Sequence, residues 1–192
     1  NDDWEAYTLL RSLSVTGVRK GEIRILTWSD IDFDNNILKI YGSYSYSKHN
    51  YGNNISTTKT DEDREILLDD TTLEVFKSWK EKQVLHLQML GLCPKEDKDQ
   101  LIFSNTKNRI VKDCYANDIL NKYLNLLNMR HIVIHGLRHT HATHLLEANV
   151  PHEGKQQRLG HSSHHDTTSE YYTHVTKKVM KYTLQKYIEH LN

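Results

Sequence analysis

A histidine and an arginine stand three positions apart in the segment HGLR, at His135 and Arg138. The segment opens a predicted helix, and side chains three apart on a helix share a face. The first N–H groups of a helix carry partial positive charge and favour an anion. An imidazole and a guanidinium beside such a helix start therefore indicate an anion site that can also move a proton.

Two further candidates follow within the same C-terminal third of the chain. His161 lies in LGHSS, after a Leu159-Gly160 break, and Tyr172 lies in TTSEYYTHV. A guanidinium binds phosphate oxygens in a planar fork, an imidazole titrates near neutral pH, and a phenol becomes a nucleophile once its proton is taken. Together these side chains predict chemistry on a phosphate.

Arg19 is a second arginine in a similar setting. It lies in TGVRKGE, after a glycine break and at the start of a predicted helix, with Glu22 one turn further on. Glu22 can brace the guanidinium through a charge-assisted hydrogen bond. The alternative is an ordinary surface arginine that pairs with Glu22.

The composition is that of an ordinary globular protein. The 192 residues include 25 Lys and Arg against 25 Asp and Glu, and this balance argues against a strong non-specific grip on nucleic acid while allowing local basic faces. No apolar run is long enough to span a membrane, and no signal peptide opens the chain. Two cysteines, Cys93 and Cys114, are too few for a disulfide framework and indicate a reducing compartment. We therefore expect a cytoplasmic protein.

Thirteen histidines are unusual for a chain of this length. Four of them, His135, His139, His141 and His144, lie close together in sequence, and an HxxxH pair on a helix can ligate a metal. The sequence offers them no carboxylate or cysteine at a spacing that we take as metal-like, so we interpret His139, His141 and His144 as packing or hydrogen-bonding residues. We expect no metal and no other cofactor.

Five motifs occur in one order along the chain: TGVRKGE, Thr58-Lys59-Thr60, HGLRHTHAT, LGHSS and TTSEYYTHV. In that order they resemble the catalytic domain of the tyrosine recombinases, the phage-integrase family, over nearly the whole chain. The resemblance implies a site-specific DNA recombinase or integrase that cleaves and rejoins strands through a 3′-phosphotyrosyl intermediate and a Holliday junction. It further implies integration or excision of a phage or mobile element in a bacterial cytoplasm, with no metal required.

The resemblance implies a role for each residue that matches a family motif. Arg19 and Arg138 would clamp the nonbridging oxygens of a scissile phosphate, and His161 would hydrogen-bond the same phosphate. His135 would accept or relay the proton of the nucleophile, since its ordinary pKa lies near the working pH. Glu22 would support Arg19.

The catalytic lysine and the nucleophile each have a competitor nearby. Lys59 matches the family's β-hairpin lysine, which would protonate the departing 5′-oxygen, but Lys48 lies in a neighbouring loop. Counting from the threonine pair favours Tyr172 as the nucleophile, whereas counting from His161 favours the adjacent Tyr171. We predict Lys59 and Tyr172.

The resemblance also implies partners and domain limits. The partner would be double-stranded DNA, bound by a homotetramer in which the C-terminal helix of each copy docks on a neighbour. The apolar stripe of that helix consists of Val179, Met180, Leu184, Ile188 and Leu191, and packing on its own domain is the alternative. Residues 1–192 would form a single catalytic domain, with the family's N-terminal core-binding domain absent from this chain.

Hydrophobic periodicity predicts the elements that position these residues. Helices are predicted at 4–13, 18–26, 112–128, 137–149, 152–159 and 175–191, with another from Asp70 to about residue 90. Two tandem hairpins, 31–41 and 55–68, would form a small antiparallel sheet, and 42–54 would be an exposed loop. The predicted fold class is mainly α with a small antiparallel β-sheet (α+β), which is the tyrosine recombinase catalytic-domain fold that the resemblance implies.

One predicted helix has almost no apolar stripe. HEGKQQRL, at 152–159, offers few positions that can bury against a core. We therefore expect residues 150–172 to be loosely packed, which would suit a nucleophile that is withheld until partners assemble.

Two other functions fit parts of the sequence. One is a DNA-binding relative that no longer cleaves DNA, in which Tyr172 would lie far from Arg19 and Arg138. The other is a metal-dependent hydrolase that uses the histidine cluster. Covalent attachment to DNA separates the first alternative from a recombinase, and a metal assay separates the second.

Overall fold

A computed structural model describes residues 3–47, 52–56, 63–160 and 177–191 of the chain. The helices in these ranges are α1 (Trp4–Thr16), α2 (Lys20–Ile23), α3 (Asp70–Met89), α4 (Tyr115–Leu126), α5 (Ile134–Glu147), α6 (His152–Leu159) and α7 (Lys177–Leu191). The strands are β1 (Ile31–Asp32), β2 (Ile37–Ile40), β3 (Ser43–Ser47), β4 (Gly52–Ser56) and β5 (Arg64–Leu67). The fold is mainly α with small antiparallel sheets, as predicted.

Helix α1 continues past its predicted end at Leu13. Asp3 caps its start by accepting from the N–H of Ala6 at 3.1 Å, and the helix ends at Gly17, which has a left-handed φ of 68°. The hydroxyl of Thr16 donates to the carbonyl of Ser12, so this threonine stays within the helical hydrogen-bond pattern. Helix α2 is shorter than predicted and begins soon after Gly17. The left-handed turn at Gly17 therefore sets the direction in which the chain leaves α1 and reaches Arg19.

The sheets differ from the predicted pair of tandem hairpins. The first hairpin, β1 with β2, is confirmed, but β5 pairs with β2 in the register Leu38 with Ile66 rather than with β4. Strand β4 instead pairs with β3, so the prediction of a loop was wrong for 43–47 and 52–54. The alternation of serine with tyrosine in β3 has the period of a strand and was outweighed by the glycines, serines and asparagines around it, whereas β4, with the sequence GNNIS, has no such alternation.

One hydrophobic core joins the helices to the three-stranded sheet. Helix α1 packs against α3 and α5, and buried side chains of these elements and the sheet meet in the core: Leu9, Leu13, Trp28, Leu38, Ile66, Leu73, Phe76 and Trp79. In α3, Trp79 is buried, whereas Leu90, the residue after its end, is 40% exposed. Leu127 is 62% exposed because α4 ends one residue before it.

Helix α7 packs on its own domain. Met180, Thr183 and Tyr187 are buried, and Tyr187 joins a second cluster with Leu145, Val150 and Leu159 on the far side of α5. Of the predicted stripe, Met180 is buried, whereas Leu191 is exposed. This arrangement is the own-domain alternative for the described part of the helix. No helix among the described residues has the length and apolar content needed to cross a membrane.

Helix α6 is tightly packed, so the expectation of a loose segment was wrong for 152–159. Gly154 lies so close to α7 that an added Cβ would collide with the Thr183 hydroxyl. Arg158 is buried and donates to the carbonyls of Val15 at 2.9 Å and Leu67 at 3.0 Å. A glycine and a buried arginine replace the missing apolar stripe. The rest of the predicted loose segment, 161–172, lies outside the described residues.

Gly17 and Gly91 both have a left-handed backbone, but only Gly17 lies against α5. Comparing substitutions at the two glycines therefore tests how closely α1 packs on α5. At Gly17 an added Cβ would lie 2.6 Å from the His141 ring, whereas at Gly91, with φ of 73°, it would meet no atom within 4 Å. We expect Gly91→Ala to cost about 1 kcal/mol through the left-handed backbone alone. Gly17→Ala adds a steric overlap and should cost roughly 3 kcal/mol in urea unfolding. Equal losses in the two variants would contradict the close contact at Gly17.

Candidate active site

A cleft of about 270 Å³ opens between the starts of α2 and α5. It is lined by Val18, Arg19, Lys20, Asn117, Val133, Ile134, His135 and Arg138. The three predicted residues Arg19, His135 and Arg138 therefore share one cleft, although Arg19 and Arg138 are 119 positions apart in sequence. The first turn of α5 faces this cleft, and its N-cap residue, Val133, makes no side-chain cap hydrogen bond. The cleft thus combines two guanidinium groups with a helix N-terminus.

Arg19 is hydrogen-bonded to Glu22, the residue that the sequence indicated as its partner. Its backbone N–H donates to Glu22 Oε2 at 2.7 Å, its Nη1 donates to Glu22 Oε1 at 3.0 Å, and its Nη2 donates to the carbonyl of Gly160 at 2.9 Å. The Arg19 side chain is 31% exposed, whereas that of Glu22 is 1% exposed. An anchored guanidinium with access to the cleft is not an ordinary surface ion pair.

Arg138 is the more deeply buried of the two arginines. Its guanidinium donates to the carbonyls of Gly17, at the end of α1, and Leu159, at the end of α6. These bonds link three helices, because Arg138 itself belongs to the second turn of α5. The position of its charge is therefore set by the packing of α1, α5 and α6.

Three consecutive carbonyls at the end of α6 each accept from a different arginine. Arg64 Nε donates to Arg158 O at 3.3 Å, Arg138 donates to Leu159 O, and Arg19 donates to Gly160 O at 2.9 Å. The last carbonyls of a helix have no partners within the helix and carry partial negative charge, so cations there are stabilising. The end of α6 thus fixes both cleft arginines relative to each other.

Arg64 completes this cluster and was missed in the sequence. It donates to both carboxylate oxygens of Glu22, at 2.9 and 2.8 Å, and both side chains are buried. Burial raises the pKa of a carboxyl, but the hydrogen bonds and charges of Arg64 and Arg19 outweigh it and hold the pKa of Glu22 below its ordinary value. Nothing in the sequence marked Arg64, which lies in a stretch predicted to be a hairpin turn.

His135 stands at the second residue of α5 and borders the cleft. Partial burial, the neighbouring His139 ring and the charges of Arg138 and Arg19 lower its pKa. The two imidazoles meet edge to face with centroids 4.4 Å apart. A lowered pKa keeps His135 neutral at neutral pH, so this imidazole can accept a proton.

His141 is a structural residue rather than a member of a four-histidine metal cluster. It is buried, and its Nε2 accepts from Arg158 Nε at 3.2 Å. Burial, together with the charges of Arg158 and Arg138, lowers its pKa to about 2. His141 therefore stays neutral and connects α5 to α6.

The remaining predicted site residues cannot be compared with this geometry. Lys59, His161 and Tyr172, together with the competitors Lys48 and Tyr171, lie outside the described residues. His161 directly follows Gly160, whose carbonyl Arg19 holds. Of the predicted site residues, the structure therefore describes the two arginines, His135 and Glu22.

Comparison with known proteins identifies the family. Residues 1–179 match the phage integrase family, and the chain belongs to it. The chain is 28% identical over 166 residues to a probable integrase/recombinase of Methanocaldococcus jannaschii, covering 83% of this chain and 43% of that protein. It is 30% identical over 177 residues to the integrase of Staphylococcus phage L54a, covering 90% and 49%. The chain thus spans about half the length of these relatives.

A solved structure shows the same fold. The Tn1549 transposon integrase, determined in complex with transposon right end DNA, matches with a TM-score of 0.65 and 19% sequence identity. The match covers 97% of this chain and 60% of that one. The mainly helical architecture with a small antiparallel sheet is therefore that of the integrase catalytic domains.

The buried ion pair leads to a stability prediction. Glu22→Gln leaves the Arg64 guanidinium buried without its full counter-charge and should cost roughly 3–5 kcal/mol of unfolding free energy. The matched control is Glu74→Gln, which breaks an exposed pair with Lys77 at 2.8 Å and should cost less than about 0.5 kcal/mol. Denaturant titration measures both, and similar small losses would contradict the account of Glu22.

The pair also predicts a pH dependence. A carboxyl whose pKa is lower in the folded state contributes stability above its unfolded pKa and loses it as pH falls through the folded value. The difference in unfolding free energy between the unsubstituted protein and Glu22→Gln should therefore narrow as pH falls below 4.5. A difference that stays constant down to pH 2.5 would show that the Glu22 charge contributes nothing.

Proposed function

We propose that this chain is the catalytic domain of a site-specific tyrosine recombinase. It cleaves and rejoins DNA through a 3′-phosphotyrosyl intermediate, for the integration or excision of a phage or mobile element. The observation that carries the proposal is the cleft that Arg19, Arg138 and His135 share, in a chain of the phage integrase family. The division into one catalytic domain here and a core-binding domain in the whole protein is part of the same proposal.

The two arginines stabilise the scissile phosphate in its transition state. Negative charge grows on the nonbridging oxygens when phosphorus becomes pentacoordinate, and donors already fixed in place stabilise it without reorganisation. A guanidinium carries five N–H donors, so it can hold a protein carbonyl and a phosphate oxygen at once. The anchoring of both arginines to the end of α6 supports this role.

The proton transfers use the remaining residues. The Tyr172 phenol loses its proton to His135 and attacks phosphorus, and the bond to the 5′-oxygen breaks as that oxygen takes a proton from Lys59. His161 hydrogen-bonds the phosphate. The 5′-hydroxyl of a second strand then attacks the phosphotyrosyl bond and releases the phenol, so the strand is resealed without an external energy source.

Double-stranded DNA is the proposed partner, bound by a homotetramer. In this assembly each α7 docks on a neighbouring copy through its apolar stripe. Leu184, Ile188 and Leu191 line a groove of about 950 Å³ that also contains the β1–β2 turn and the start of α3. Apolar side chains beside an open groove support docking there, although Met180 and Tyr187 pack on the same domain.

The nucleophile is tested by covalent trapping. On a nicked suicide DNA substrate, the unsubstituted protein should form a stable covalent adduct, and Tyr172→Phe should form none because it lacks the attacking oxygen. Tyr171→Phe is the matched control and should retain the adduct. The reverse result would move the nucleophile to Tyr171, and no adduct with any of the three would favour a DNA-binding protein that does not cleave.

The second arginine is tested by a conservative substitution. Arg138→Lys keeps the charge but loses the planar fork, so cleavage should fall by roughly 10²–10³-fold while DNA binding changes little. Arg109→Lys, at an exposed position away from the cleft, is the control and should leave both unchanged. Equal losses of cleavage and binding in Arg138→Lys would show that Arg138 only holds DNA.

Chelation separates this reaction from metal-dependent hydrolysis. Excess EDTA should leave the yield of covalent adduct on the suicide substrate unchanged, because protein side chains supply every charge and proton in the proposed steps. Loss of the adduct in EDTA, and its recovery when a divalent metal is restored, would contradict the scheme.

A further inference from the structure

Three side chains with metal-binding atoms meet where α7 lies on the last turn of α5. His144 Nδ1 and His190 Nε2 are 3.1 Å apart, and Glu147 Oε2 lies 3.1 Å from His190 Nε2 and 3.7 Å from His144 Nδ1. His144 and Glu147 belong to α5, and His190 belongs to α7. The cluster thus bridges two helices that are separated in sequence.

We infer that His144, Glu147 and His190 form a binding site for a divalent transition-metal ion of the zinc class. Two imidazole nitrogens and one carboxylate oxygen form a donor set that zinc accepts, with a fourth position left for water or another ligand. The site goes beyond the proposed recombination reaction, and none of its three ligands has a role in the proposed chemical steps.

The separations of the three atoms fit one ion. A zinc ion that bonds tetrahedral ligands at about 2.0–2.1 Å holds those ligand atoms roughly 3.3 Å apart. The three observed separations average about 3.3 Å. A single point about 2.05 Å from all three atoms lies roughly 0.7 Å out of their plane, which is the displacement that a tetrahedral site requires.

Hydrogen bonding alone satisfies this cluster poorly. His190 Nε2 lies 3.1 Å from both His144 Nδ1 and Glu147 Oε2. If His190 Nε2 carries its single proton, that N–H must divide between two acceptors; if it does not, its lone pair faces the carboxylate. A cation that accepts a lone pair from each of the three atoms removes the conflict.

A buried contact one turn earlier sets the positions of the ligands. The ring of Tyr187, three residues before His190, packs edge-on against His141, three residues before His144, with centroids 4.5 Å apart. Both rings are buried, so the two helices are fixed together where the metal ligands begin. Ligands held by a packed framework need little reorganisation on binding.

The site is separate from the cleft although both use α5. His135 stands in the first turn of the helix and His144 in its last part, and nine residues of α-helix span roughly 13–14 Å. The metal would bind only while α7 lies on its own α5, so by linkage it stabilises that position of the helix. A bound ion therefore ties the C-terminal helix to its own domain.

The sequence concealed this site because one ligand comes from a distant helix. Glu147 follows His144 by one turn, and that spacing gains its meaning only when α7 brings His190 beside it. From the sequence, no carboxylate was expected beside these histidines, whereas Glu147 Oε2 lies 3.7 Å from His144 Nδ1.

Zinc binding to the purified chain, first stripped with EDTA, tests the inference. Calorimetric titration should give one tight site per chain, and a hundredfold excess of free zinc over its Kd should raise Tm by about 5–10 °C. His190→Ala should lose the tight site and the Tm rise. His131→Ala, which removes an exposed histidine outside the cluster, should keep both.

Two further measurements keep the test decisive. The ligands are partly or largely exposed, so the Tm of His190→Ala in EDTA should match that of the unsubstituted chain. If that variant does not fold, Glu147→Gln replaces it and should bind zinc at least tenfold more weakly than the unsubstituted chain. Cobalt(II) in place of zinc should give the intense visible absorption of tetrahedral coordination. No tight site, an equal Tm rise in His190→Ala or Glu147→Gln, or a weak octahedral cobalt spectrum would overturn the inference.

Discussion

The end of α6 is the point on which the rest of the site depends. Its last three carbonyls, at 158 to 160, accept from Arg64, Arg138 and Arg19, and a single buried carboxylate, Glu22, joins two of these arginines. Helix ends leave carbonyls that need donors, and guanidinium groups fill that need while bringing positive charge. The carbonyls at one helix end thus fix the positions of both arginines that border the cleft.

Charge balance in this cluster shows how a chain of zero net charge can hold local positive charge. Arg19 and Arg64 pair with the Glu22 carboxylate, while Arg138 donates to backbone carbonyls beside them. Three guanidinium groups and one carboxylate leave local positive charge next to the cleft. Partial burial, the neighbouring His139 ring and the charges of Arg138 and Arg19 lower the pKa of His135. The charges of the two cleft arginines thus also act on the imidazole that borders the cleft.

The sequence predicted features that depend on residues close together in the chain. It did not predict features that depend on contacts between distant segments. The pairing of Arg19 with Glu22 and the shared helix face of His135 and Arg138 followed from spacing within short motifs, whereas the family resemblance implied that the two arginines share one site. Arg64 and Arg158 stand in no such motif, because their partners are side chains and backbone carbonyls supplied by other elements. Strand β4, with which β3 pairs, had no apolar alternation to reveal it, and α6 packs through a glycine and an arginine where a hydrophobic stripe was expected.

The cleft arginines are proposed to neutralise charge on the scissile phosphate. DNA that carries no charge at the cleavage position tests this role most directly. A methylphosphonate at the cleavage position removes the negative charge that a guanidinium would compensate. With Arg19→Ala, cleavage of ordinary DNA should fall by roughly 10²–10³-fold, while the methylphosphonate DNA should be cleaved nearly as well as by the unsubstituted protein. An equal defect on both substrates would contradict the account.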